Sequence, residues 1–206
     1  MKIPSINSIK KTIGYTALAT SAFVFPTYSV FAQKTQKDTV ELTQHKVSAS
    51  GTKDSTVLAN APSPIIRIAG KEKTVAAVVD ISQNVLYQYD DQGNAVNAFL
   101  VASGKQSSPT TKGLRAVTHI ETYPYKTAPK QTKRYKNPMD YGPKIICLET
   151  VDTLNNARGI TGEFIHGNNN PQSIGKYASK GCIRMDNKVI KTLAEQLKRG
   201  QFILIK

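Results

Sequence analysis

The sequence is poor in the residues that most often carry metal or disulfide chemistry. Its 206 residues include two cysteines, three histidines and no tryptophan. Two cysteines are too few for a disulfide-built scaffold. Cys147 lies in the apolar run KIICLET, where a thiol behaves as a small buried hydrophobe, and Cys182 lies in a glycine-flanked loop. Nothing in the sequence brings their β-carbons within bridging range, so no disulfide is expected. A zinc centre needs three or four ligands. His45 falls in a polar segment and His119 in a strand-like run far from Cys182, so neither a metal nor a cofactor is expected. The missing tryptophan, set against nine tyrosines, excludes nothing. No internal repeat is apparent. Acids are also scarce: 14 against 28 lysines and arginines, a formal net charge of +14. That excess calls for an anionic partner, either nucleic acid or an anionic envelope polymer.

The N-terminus chooses between these partners. Lys2, Lys10 and Lys11 precede the apolar run Ile13 to Phe25, and no acid occurs before Asp38. After Pro26, Val30 and Ala32 occupy the −3 and −1 places of a signal-peptidase site. Residues 1–32 therefore read as a signal peptide cleaved after Ala32. An uncleaved anchor over Thr12 to Ala32 is the alternative, weakened by Pro26, Tyr28 and Ser29. No cysteine lies near the cleavage site, which argues against a lipid anchor. Removing the leader's three lysines leaves 25 basic against 14 acidic residues, a net charge of +11. An exported basic protein meets wall polymers before it meets nucleic acid, so the expected location is the periplasm or cell wall.

Residues 33–63 are rich in Lys, Thr, Gln, Ser and Asp and read as a flexible linker. A folded domain is expected over 64–206. TVAAVVDIS and VLYQYDD are strand-like, and DDQGN marks a hairpin turn into AVNAFLVASG. LRAVTHIETYPY, PKIICLETV and GEFIHG continue the β pattern. The basic stretch KTAPKQTKRYKNPMD between them reads as a long loop, either plainly solvated or a flap over an anionic cleft. One helix is signalled by Asp186 or Asn187 as cap, by Val189, Ile190, Leu193 and Leu197 as an apolar stripe, and by Gly200 as a stop. QFILIK closes the chain as a strand. The expected fold is mainly β with one or two short helices.

The segment FIHGNNNPQSIGKYASKGCIRM, Phe164 to Met185, concentrates reactive chemistry. A cysteine attacks a carbonyl as thiolate and needs a base or a positive neighbour within reach. His166 lies upstream of Cys182 in the same segment and can supply that base. Acyl transfer also needs donors for an oxyanion, and the amides around Lys180, Gly181 and Cys182 can point at one oxygen. Alternatively His166 is a structural histidine and Arg184 a surface charge.

HGN, SIGKYASKGCIRM and the following DN…L…GQFILI resemble the L,D-transpeptidase catalytic domain of bacterial cell-wall enzymes. The earlier stretch VVDISQNVLYQYDDQGNAVNAFLVASGK is similar to that family's opening strands, so the resemblance spans about Thr74 to Lys206. It implies a β-sandwich-like fold of mixed sheets. It also implies Cys182 as nucleophile and His166 as proton donor and acceptor, acting on peptidoglycan tetrapeptide stems as donor and acceptor to form 3-3 crosslinks. Gly167, Ser179 and Arg184 would bind substrate or brace the loop. L,D-carboxypeptidase action on the same site, attachment of a protein to peptidoglycan, and a non-catalytic wall-binding module remain alternatives. Two departures stand out. Lys180 holds the place where the family often has a second histidine, and TTKG, Thr110 to Gly113, lacks the family's usual proline.

Overall fold

The structure, a computed structural model, describes residues 46–122 and 138–206. The expected signal peptide, most of the expected linker's first half and most of the basic loop lie outside the described residues.

Strand alternation and turn chemistry account for the order of elements. A short helix α1 (Ser55–Leu58) is capped by Asp54. Strands β1 (Ile65–Ile68) and β2 (Lys71–Thr74) form a hairpin turned by Ala69 and Gly70, both at positive φ. β3 (Ala77–Asp80), β4 (Val85–Tyr89) and β5 (Ala95–Leu100) follow as an antiparallel meander. The Asp90 carboxylate accepts from the amides of Gln92 and Asn94, which closes the turn foreseen at DDQGN. Then come β6 (Ser103–Gly104), β7 (Gly113–Thr122), β8 (Lys144–Val151) and β9 (Arg158–His166). Short β10 (Tyr177–Ser179) and β11 (Ile183–Arg184) precede helix α2 (Asn187–Gln196), and β12 (Phe202–Ile205) ends the chain.

Eight strands form one mixed sheet in the order β11-β9-β8-β7-β12-β3-β4-β5, with β10 and β6 paired parallel in a small separate sheet. The mainly β domain of mixed sheets expected from the sequence is therefore present. Both sheet faces are covered. On one face, Ile146, Leu148, Ile165, Ile183 and Ile203 meet the stripe of α2, namely Val189, Ile190, Leu193 and Leu197. On the other, Tyr87, Tyr89, Leu114 and Val151 pack with Val47, Val57 and Ile68.

Residues 46–63 depart from the expected linker. Val47 and Val57 are buried, and Thr52 bridges Ala98 of β5. Two valines in an otherwise polar run suffice to dock it on an apolar sheet face, so the ordered region begins before residue 64.

Asp186 is the N-cap of α2, its carboxylate accepting from the amides of Lys188 and Val189. Asp186→Ala should lower stability by about 1 kcal/mol. In urea unfolding this appears as a lower midpoint with an unchanged slope.

Candidate active site

His166 and Cys182 are brought together by backbone pairing. β11 runs parallel to β9, with Ile183 opposite Ile165 and Arg184 opposite His166. Paired residues of parallel strands face the same side, and sides alternate along each strand. Ile165 and Ile183 point into the core under α2 and are fully buried. His166, Arg184 and, one step before β11, Cys182 therefore face the opposite side. There they line a cavity of about 290 Å³ with Asp140, Tyr141, Asn169, Ser179 and Lys180.

The ring of His166 is held on two sides. Its Nδ1–H donates to the Gly167 carbonyl at 2.5 Å, which leaves Nε2 as the basic nitrogen. The Tyr141 ring lies against it, centroids 4.8 Å apart. His166 is only 3% exposed. Burial, opposed by the Gly167 hydrogen bond and aided by the positive charge of Arg184, pushes its pKa down to about 4. The imidazole is thus neutral at physiological pH.

Gly167 is glycine because a β-carbon there would collide with the Asn187 carboxamide and lie 2.9 Å from Pro143 Cδ. Asn187, the first residue of α2, accepts from the Asn168 amide at 2.9 Å and donates to its carbonyl at 2.9 Å. Asn168, buried, donates to the Met185 carbonyl at 2.7 Å, and the Met185 amide donates to the His166 carbonyl. These bonds lock the segments after His166 and after Cys182 to each other.

The turn into Cys182 is shaped by Ser179 and Gly181. The Gly181 N–H donates to Ser179 Oγ at 3.1 Å, and that hydroxyl donates to the Cys182 carbonyl at 2.5 Å. Gly181 adopts φ +113°, a conformation that favours glycine. Its amide is committed within the loop and is not available as an oxyanion donor. Lys180 lines the cavity beside Cys182. Arg184 Nε is buried and has no hydrogen-bond partner among the described residues. A buried guanidinium nitrogen without a partner is costly unless something else completes it.

Several contributing residues were not read from the sequence. Thr110, buried, donates to the Gly181 carbonyl at 2.8 Å and accepts from the Gly104 amide at 2.8 Å. Thr110 thus anchors the turn to the TTKG stretch despite its missing proline. Behind the loop, Arg115 pairs with Glu163 at 2.9 Å, and Glu163 also accepts from the Thr111 amide at 2.6 Å. Tyr141, Asp140 and Asn169 join the cavity wall, with Asn169 donating to Asp140 at 2.6 Å. Apart from the Gly104 contact, these join residues about 30 or more positions apart, which no local pattern reports.

A model of the L,D-transpeptidase catalytic-domain family matches residues 74–205. The YkuD protein of Bacillus subtilis is 56% identical over 41 residues, 20% of this chain and 25% of that protein. Its Bacillus licheniformis counterpart is 51% identical over a stretch of the same length. The matched stretch thus spans a quarter of these curated relatives. Among solved structures, Bdellovibrio bacteriovorus Bd1075 aligns with a TM-score of 0.50 at 22% identity, covering 71% of this chain and 53% of that one. The catalytic domain of the Enterococcus faecium L,D-transpeptidase aligns at TM-score 0.43 and 21% identity, covering 64% of this chain and 96% of that one.

The lowered pKa of His166 has a consequence for stability. The unfolded chain binds this proton below about pH 6.5, whereas the folded one does so only near pH 4. The histidine's contribution is therefore fully present above pH 6.5 and is lost as pH falls towards 4. The loss is roughly 3 kcal/mol at most. Urea unfolding between pH 7 and pH 4 should show a shallower pH dependence in His166→Gln than in the parent protein. Equal slopes would show that His166 is not held neutral.

Proposed function

The chain belongs to the L,D-transpeptidase catalytic-domain family, and from that premise we propose that it is an exported cysteine acyltransferase acting on peptidoglycan stem peptides. The observation that supports this reading is the placement of His166, Cys182 and Arg184 on one wall of a single polar cavity. Peptidoglycan lies outside the cytoplasmic membrane, and the basic, signal-like start of the chain suits a protein sent there.

In the proposed reaction, Cys182 Sγ gives its proton to His166 Nε2 and attacks the carbonyl carbon of the third residue of a tetrapeptide stem. The carbonyl oxygen becomes an oxyanion, assigned to the amides of Lys180 and Cys182. Collapse breaks the peptide bond to the terminal D-alanine, whose nitrogen takes the proton from His166. A thioester remains on Cys182. The side-chain amine of the third residue of a second stem then gives a proton to His166 and attacks the thioester carbon. This forms a 3-3 amide crosslink and returns the thiol. Arg184, whose Nε has no hydrogen-bond partner among the described residues, is assigned to a substrate carboxylate. Lys180 adds a positive field that favours charge on sulfur.

Purified protein incubated with disaccharide-tetrapeptide fragments should yield dimers joined through third residues, seen by mass spectrometry. Cys182→Ala should give none, and His166→Gln should slow the reaction by about 100-fold or more. Tripeptides without dimers would assign hydrolysis instead. No change in the fragments would leave only a wall-binding role.

A further inference from the structure

Cys147 and His119 have no part in the reaction above, yet the structure places them side by side. His119 of β7 is in register with Cys147 of β8. The pairing shifts between Val117 and His119, leaving Thr118 as an extra residue. That bulge separates Val117, which faces the core under α2, from His119, which faces the other side with Cys147. Glu121, two residues on, shares that side. Cys147 Sγ donates to Glu121 Oε1 at 3.5 Å, and His119 Nε2 lies 3.3 Å from the same oxygen. The three donor atoms lie within 4.8 Å of one another. Cys147 and Glu121 are buried, whereas the His119 side chain is 62% exposed.

Thr118 orients the His119 ring. Thr118 Oγ1 donates its single proton to the Cys147 carbonyl at 3.1 Å and sits 3.0 Å from His119 Nδ1. With Nδ1–H donating to that hydroxyl, Nε2 of the neutral ring presents its lone pair to an ion, the usual orientation of histidine ligands. With no ion bound, Nε2–H donates to the Glu121 carboxylate. Two of the three spacings suit a tetrahedral ion. With metal bonds of about 2.3 Å to sulfur and about 2.0 Å to oxygen and nitrogen, tetrahedral angles put sulfur about 3.5 Å from oxygen and from nitrogen, and nitrogen about 3.3 Å from oxygen. The sulfur–oxygen and nitrogen–oxygen separations match. The exposed His119 ring has to turn towards Cys147 to bring nitrogen and sulfur, up to 4.8 Å apart, within reach of one ion.

We propose that His119 Nε2, the Glu121 carboxylate and Cys147 Sγ form a binding site for a divalent ion of zinc's class, with a water as fourth ligand on the open side of His119. Binding replaces the Cys147 S–H bond with a sulfur–metal bond and releases that proton to solvent. A mixed sulfur, nitrogen and oxygen donor set selects borderline ions over magnesium or calcium. In the cross-strand row Glu121, Ile145, His166, the glutamate sits two strands from the histidine. That separation is about 10 Å. The ion therefore clamps β7 to β8 beside the reaction site without touching it.

Cobalt(II) alone tests the site, titrated into the full chain carrying Cys182→Ala so that the other thiol cannot compete. One equivalent should produce a thiolate-to-cobalt charge-transfer band with tetrahedral visible absorption, and zinc should displace it. His119→Gln, at an exposed position that leaves the fold intact, should weaken binding at least about 100-fold. Cys147→Ser should abolish the charge-transfer band. If Cys147→Ser fails to fold, the His119→Gln comparison decides alone. Absence of a thiolate band in Cys182→Ala, or a band indifferent to His119→Gln, overturns the proposal and leaves a hydrogen-bonded imidazole, carboxylate and thiol.

Discussion

The register of β11 against β9 is the constraint on which the rest of the site depends. Two residues of parallel pairing are weak by themselves, and here they are held from outside. Ala102 and Arg184 exchange both backbone hydrogen bonds, and the Met185 amide donates to the His166 carbonyl. Above all, Ile165 and Ile183 are wholly buried in the core under α2. A slip of one residue would turn Ile183 into the polar cavity and Cys182 into the core. Exposing that isoleucine alone costs about 2 to 3 kcal/mol, before any penalty for burying polar groups. The hydrophobic core thus sets the position of the thiol.

Charge is sorted across the two sides of this edge. On the cavity side Arg184 and Lys180 face His166 and Cys182. On the reverse side, under the Cys182 loop, buried Arg115 and partly buried Glu163 form a pair that also fastens the Thr111 backbone. Buried pairs of this kind add little net stability, but breaking one leaves a stranded charge. Its weight lies in geometry: the pair holds β7 to β9 where Thr110 reaches the Gly181 carbonyl. The TTKG stretch does by hydrogen bonds to Thr110 what a proline would do by stiffening the turn.

Much of this was legible in the residues, and the reasons differ by element. The apolar stripe of α2 and its Asp186 cap are local patterns, so the helix was found nearly to the residue. The strand from Gly162 to His166 was recognised only over its C-terminal half. β9 starts at Arg158, where Arg158 and the wholly exposed Ile160 break the expected alternation at a sheet edge. The β1–β2 hairpin was missed because its second strand, KEKT, is exposed and polar throughout. His166, Cys182 and their loop were visible because one short segment holds them all. Tyr141, Thr110, Glu163 and Arg115 were invisible for the opposite reason: each reaches the loop across the sheet. His119 and Cys147 looked unrelated because only a bulge at Thr118 turns them to the same face.

The burial that holds His166 neutral also bears on when charge forms in the proposed reaction. A free thiol ionises near ~8.5, while His166 accepts a proton only near pH 4. Moving a proton between two such groups in isolation is uphill by roughly 6 kcal/mol. The ion pair formed is not isolated, however. At a separation of ~4 Å and an effective dielectric of ~20, attraction between thiolate and imidazolium returns about 4 kcal/mol. The positive charges of Arg184 and Lys180 stabilise the sulfur anion while opposing the imidazolium. Their effects on the pair largely cancel, and a modest deficit remains. In the proposed reaction the proton therefore moves as sulfur attacks rather than beforehand. A substrate carboxylate placed on Arg184 would screen the charge that depresses His166, raising its basicity when a stem peptide is in place.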